Sequence, residues 1–163
     1  MSKRDLKLLI LCLVLLGVTG FMIVRQYLNR SDGQTRVFFY DLSEKKLFTG
    51  VSTLVPPIKG LNDAEEDAVR AIVISTNGKP EDKSSWKIAY LEMYSPELKQ
   101  QFERAQREGG SPELSRAQAQ NHRFVRRLED REWYPMSSNE ASLILNEWLT
   151  AGPGGEPAVI CTP

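Results

Sequence analysis

The sequence predicts an α+β fold, an antiparallel sheet with helices packed on it, preceded by one N-terminal transmembrane helix. Three observations carry this. Residues 8–24 (LLILCLVLLGVTGFMIV) form an uncharged apolar run bounded by Lys7 and Arg25. Residues 70–76 (RAIVIST) and 86–94 (WKIAYLEMY) are β-rich runs joined by the polar loop 77–85, the pattern of two neighbouring strands. The tetrapeptide Ser-Pro-Glu-Leu occurs at Ser95 and again at Ser111, each time setting an N-cap serine before a proline suited to a first helical turn.

The chain divides into a basic tail (1–7), an anchor (8–24), a polar tether (25–36) and a soluble domain (37–163). At about 1.5 Å per residue the anchor covers ~26 Å of a hydrocarbon core ~30 Å thick. Lys7 and Arg25 snorkel and Tyr27 suits the interface, which absorbs the small mismatch. A cleaved signal peptide would carry a shorter apolar core, roughly 7 to 15 residues, ahead of small residues at a cleavage site. A lipoprotein reading fails because Leu11 precedes Cys12 where a small side chain is needed. Gly17 and Gly20 are three apart, so the span lacks a G-x-x-x-G dimer face. Lys3, Arg4 and Lys7 before the span balance Arg25, Arg30 and Arg36 after it. The short basic start is that of a signal-anchor, which puts the N-terminus in the cytoplasm and the domain outside the cell membrane, single-pass.

Along the domain, VFFYDL and LFT on either side of a polar SEKK predict a hairpin over 37–49. Pro56 and Pro57 make 55–58 an extended connector, since neither donates a ladder hydrogen bond. Asn62 with Glu65 three positions on predicts a short helix or helical turn over 63–69. The strands 70–76 and 86–94 form the sheet centre, the latter with Trp86, Ile88 and Tyr90 on one face and Ala89, Leu91 and Met93 on the other. The helix after Ser95 places Leu98, Phe102 and Ala105 on one side, pairs Glu103 with Arg107, and stops at Gly109-Gly110; a second is expected after Ser111. A weaker hairpin follows over 123–128 and 133–136. Ser137 with Glu140 predicts a capped helix whose Ala141, Ile144, Leu145 and Trp148 share a face, and 158–161 a short closing strand. Trp86, Ile88, Ile72, Ile74, Leu98, Phe102, Ile144 and Trp148 are expected to meet in one core.

Composition narrows the function classes. Charge balances at 21 basic and 21 acidic residues, but from residue 31 onward the chain holds 16 basic and 20 acidic groups, a poor electrostatic footprint for nucleic acid. Two cysteines, one of them Cys12 inside the apolar run, permit neither a disulfide framework nor a cysteine zinc site. A single histidine excludes the multi-histidine metal motifs.

Few residues carry chemistry in a recognisable pattern. His122 titrates nearest neutrality and is the first candidate for acid-base work, although a hydrogen-bonded junction residue is the simpler reading; a dyad with Cys161 is the remoter alternative. Glu92 lies between Tyr90 and Tyr94 on its strand and is the candidate carboxylate. Glu65, Glu66 and Asp67 lack the alternating ligands and glycine of a calcium loop and favour a helix start instead. Arg123, Arg126 and Arg127 form the densest basic group, neutralised by Glu129, Asp130 and Glu132 just beyond. No cofactor or metal is expected.

Tyr40-Asp41-Leu42 with Leu47-Phe48, then Pro56-Pro57-Ile58, Val69-Arg70-Ala71 and the run from Tyr90 to Glu97 resemble a group of uncharacterised single-span envelope proteins of planctomycete-type bacteria. Phe124-Val125-Arg126-Arg127, Trp133 and the Cys161-x-Pro163 ending are similar as well. The resemblance implies an envelope location and no assigned reaction, so it carries no functional residue over. The expected function is a membrane-anchored extracytoplasmic interaction or structural module, held in lipid through residues 8–24 and meeting an envelope protein partner. The alternatives are an envelope enzyme whose site, at His122 or Glu92, is assembled in three dimensions, and a cytoplasm-facing membrane adaptor.

Overall fold

Val37 to Tyr40 are β-branched or aromatic side chains that suit a pleated, half-buried surface. They build β1 (Arg36–Asp41), which pairs antiparallel with β2 (Lys46–Val51) from Arg36↔Val51 to Asp41↔Lys46. The computed structural model describes residues 35–62, 65–149 and 156–163, together with Met22. The basic tail, the expected anchor and most of the tether lie outside the described residues, and among the described residues no helix is long and apolar enough to cross a membrane.

β3 (Ala68–Ser75) lies beside β1, and β4 (Trp86–Tyr94) lies beside β3. The short strands β5 (Arg123–Arg126) and β6 (Tyr134–Pro135) complete the order β2-β1-β3-β4-β5-β6, antiparallel throughout. A two-residue β7 (Val159–Ile160) pairs with Ser75 and Ile74, continuing along the flank of β3 where its pairing with β1 ends. Among the described residues three α-helices accompany the sheet: α1 (Pro96–Glu108), the single turn α2 (Arg116–Ala119) and α3 (Asn139–Glu147). The α+β architecture with an antiparallel sheet is therefore as expected.

The strand register assigns the two faces. On one, Phe38, Val69, Ala71, Val73, Leu91 and Cys161 are buried together, with Trp86, Ile88, Met93, Leu128 and Trp133 packed around them. Phe38 and Trp86 meet edge to face at 5.3 Å, an arrangement that suits their quadrupoles. The other face carries helices: Val125 packs with Ala141 and Ile144 of α3, and Tyr94 stacks on Phe102 of α1 at 5.5 Å. Burying side chains such as Leu91, Leu98 and Ile144, each at most 2% exposed, contributes about 1.5–3 kcal/mol apiece.

Several expectations need correction. Ile72 pairs with Tyr90 but Val73 with Ile88, so Ala89 is an extra residue, a β-bulge. The bulge resets the alternation: Trp86 and Ile88 join Leu91 and Met93 on one face, while Tyr90 lies on the other. The predicted core is thus divided between two sides of the sheet. No helix covers 65–69, because Ala68 and Val69 are the buried start of β3; residues 63 and 64 lie outside the described residues. Ser111 does not cap a helix. Ser115 does, in a capping box with Gln118. The cap of α3 is Ser138, whose hydroxyl accepts from the Ala141 N–H, and not Ser137. Glu103 lies 3.8 Å from Lys99 where a pair with Arg107 was expected.

Candidate functional site

Alternation beyond the bulge puts Tyr90, Glu92 and Tyr94 on the helix-bearing face, with Glu92 opposite Arg70 on β3 and Val125 on β5. Glu92 is only 5% exposed. A carboxylate so placed needs a partner, because desolvation of an unpaired charge costs several kcal/mol. Arg123 supplies it from the first position of β5: its Nε donates to Glu92 Oε1 at 3.0 Å and an Nη donates to the same oxygen. The guanidinium lies 5.7 Å from the Tyr94 ring, which is stacked in turn on Phe102. Burial alone would lower the Arg123 pKa, but the neighbouring Glu92 carboxylate outweighs it and the net direction is upward. Burial, and then Glu92, push the phenols of Tyr90 and Tyr94 upward. Glu92 thus serves the fold, joining β4 to β5 through Arg123.

His122 sits one residue before Arg123, at the start of α1. Its Nδ1 lies 2.9 Å from Ser95 Oγ and 3.1 Å from Glu97 Oε2, and the Ser95 N–H donates to the His122 carbonyl at 2.8 Å. Serine, histidine and acid are assembled, but not as a nucleophilic triad, which needs the hydroxyl and the acid on opposite ring nitrogens. Here both meet Nδ1. Ser95 Oγ also accepts from the Leu98 N–H, as the N-cap of α1. This constellation therefore fastens the helix start to β5.

The remaining candidates disperse. Cys161 is 4% exposed, in the core on the other face, with its thiol pushed up by burial. Its place beside Val73, held by its N–H to the Val73 carbonyl at 2.8 Å, separates it from His122 at the β4–α1 junction. Glu66 pairs with Lys99 at 2.6 Å, and Asp67 accepts from the Ser43 N–H at 3.0 Å. The basic group also splits: Arg126 donates to the Asp130 carbonyl and lies 4.8 Å from the Trp133 ring, while Arg127 meets Glu147 at 2.7 Å and Asp130 at 3.3 Å.

Sequence reasoning missed Asp41 and Lys99. Asp41, fully buried at the end of β1, accepts from the Glu44 N–H at 2.8 Å, the Leu61 N–H at 2.7 Å and the Ser43 hydroxyl at 2.9 Å. These donors, the Glu44 and Leu61 N–H groups first, hold its pKa below the usual carboxylate value. Lys99 Nζ donates to the Pro57 carbonyl at 2.6 Å and ties α1 to the connector. An aspartate followed two and three residues on by its donors is a turn signal. Nothing local foretells the reach to Leu61 or that of Lys99 to Pro57.

The depressions on the surface of the described residues include a cleft and a groove near these side chains. A cleft of about 330 Å³ lies between the end of α3 and the first half of β4, walled by Ile74, Lys87, Ala89, Arg127, Trp148 and Ala158 among others. A groove of about 390 Å³ runs between α1 and the connector, past Leu54, Ile58 and Lys99. The outer side of α3, beside the first cleft, presents Leu143 at 67% exposure. No family model, curated protein or solved structure matches this chain.

Proposed function

We propose that the chain is a membrane-anchored extracytoplasmic interaction module, held in the bilayer by residues 8–24 and offering its folded domain to an envelope protein partner. The observation that supports it most is the division of labour among the side chains. The groups able to do acid-base or nucleophilic work, namely Glu92, His122, Ser95 and Cys161, are each engaged in holding the fold. Leu143 and Leu149, in contrast, stand 67% and 57% exposed on and just beyond α3, apolar surface that a partner would cover. The resemblance of its motifs to a group of single-span envelope proteins implies the same envelope location.

Two measurements test the reading. Full-length protein should remain with membranes through a carbonate wash, since apolar burial and not charge retains it. In-cell crosslinking from position 146, which lines the same depression as Leu143, should give a defined stoichiometric adduct that Leu143→Asp abolishes, with stability unchanged within about 0.5 kcal/mol. Release into the soluble fraction at native length removes the anchor, and a monomer without adducts removes the module.

A further inference from the structure

β4 is nine residues long, but β5 pairs only with Leu91–Tyr94, so among the described residues no strand pairs with the β5-side flank of residues 87–90. After Arg126 the chain turns away, with Leu128 and Trp133 packing on the opposite face of the sheet. An interior strand is thereby left with a short open edge, extended by the bulge at Ala89. Its residues 87–89 line a cleft bordered also by Ile74 and Ala158 and by Arg127, Glu129, Glu147 and Trp148. The indole Nε1 of Trp148 is buried and meets no hydrogen-bond acceptor among the described residues, although a buried indole N–H normally finds one.

From this juxtaposition we infer that the open flank of β4 at residues 87–90 is a docking edge for an extended peptide segment of a partner protein. The open edge specifies the occupant's chemistry. Alternate N–H and C=O groups of a strand edge are matched by another backbone in extended conformation, the pattern of β-strand addition. Four residues of edge correspond to about 13 Å, room for a segment of similar length. A carbonyl of that segment would give the Trp148 N–H its acceptor. An apolar side chain of the segment would enter between Ile74, Ala89 and Ala158, where the cleft wall is apolar. Arg127 and Glu147 are already paired with each other at 2.7 Å, so the rim is charge-neutral and selects by backbone and shape rather than by net charge. The inference extends the interaction-module reading and rests on it, but not on the anchor.

The test begins with a random octapeptide display library, panned against the full chain immobilised in mild detergent and counter-selected on the detergent-treated bare support. An enriched peptide is then titrated into ¹⁵N-labelled full chain. Expected are shifts of the amides at residues 87–90 together with the Trp148 indole resonance. N-methylation of alternate peptide nitrogens should weaken binding at least tenfold, and Trp148→Phe, which keeps an aromatic ring but loses the N–H, about fivefold. Should Trp148→Phe fail to fold, the N-methylated peptides decide alone. Absence of enrichment, or binding indifferent to N-methylation, overturns the inference. Shifts confined to the groove beside Lys99 overturn it too, while leaving the interaction module intact.

Discussion

Removing Arg123 should cost more than removing the carboxylate it serves. In Arg123→Met the stem survives, but Glu92 is left as a charge whose side chain is only 6% exposed, facing no cation at hydrogen-bond distance. Breaking a buried pair from one side costs about 3–5 kcal/mol. The Arg123 side chain is 32% exposed, so water reaches the gap and the low end, about 3 kcal/mol, applies. For a domain of this size that is roughly a 10 °C fall in Tm. Glu92→Gln leaves the cation instead, on the side that solvent already reaches, and should cost about 1–2 kcal/mol. The double variant removes both charges and should recover at least about 1 kcal/mol relative to Arg123→Met alone, the coupling expected of residues in contact. Thermal melts of the four full-length proteins in one detergent measure all three quantities. If Arg123→Met melts with the wild type, or the double variant loses the plain sum of the singles, Glu92 is not a buried anion dependent on Arg123.

Three further outcomes are expected. A Cβ on Gly60 would fall on Asp41 Oδ2 and 2.8 Å from Asp67 Oδ1, so Gly60→Ala should destabilise by about 1–3 kcal/mol in urea unfolding, and wild-type stability would refute the packing at this loop. Asp41 is held below its ordinary pKa by the Glu44 and Leu61 N–H groups, and Asp82 by the Ser84 hydroxyl and Asn77. Their contribution is present above the unfolded-state carboxylate pKa of about 3.9 and lost as pH falls through the lower folded values. Asp41→Asn should therefore flatten acid unfolding below about pH 4 in a pH-dependent melt, and an unchanged slope would sink the assignment. The Cys161 thiol is buried, so a maleimide should label it slowly in the native protein and rapidly in denaturant, and fast native labelling would contradict the core assignment.

Patterns with a short period were legible in advance. β4 was readable to its exact ends, and the N-cap of α1 to the residue, because alternation and capping are local rules. Errors arose where two local solutions compete. Ser111-Pro112-Glu113 has every helix-start residue, yet Ser115 with Gln118 offers two reciprocal cap bonds and the helix begins there. Ala68 and Val69 follow an acidic run that suits a helix start, but burial against β1, with Tyr40 opposite Val69, overrides propensity. The candidate site was half legible: Tyr90, Glu92 and Tyr94 lie together as two-residue spacing requires. Their partner Arg123 is 31 residues from Glu92, and no local signal singled it out from Arg126 and Arg127.

The place of β1 in the sheet also bears on how the domain withstands load. Any pull transmitted through the residues before Thr35 arrives at Arg36, and β1 is an interior strand, bonded to β2 along its whole length and to β3 over residues 38–41. An edge strand pulled from one end peels away rung by rung. Drawing β1 out lengthwise must instead shear two ladders, and the buried Asp41 with its three donors at the far end has to give way with them. Force that enters at Arg36 is thus met by two ladders at once, which makes the N-terminal strand mechanically a strong end of the fold.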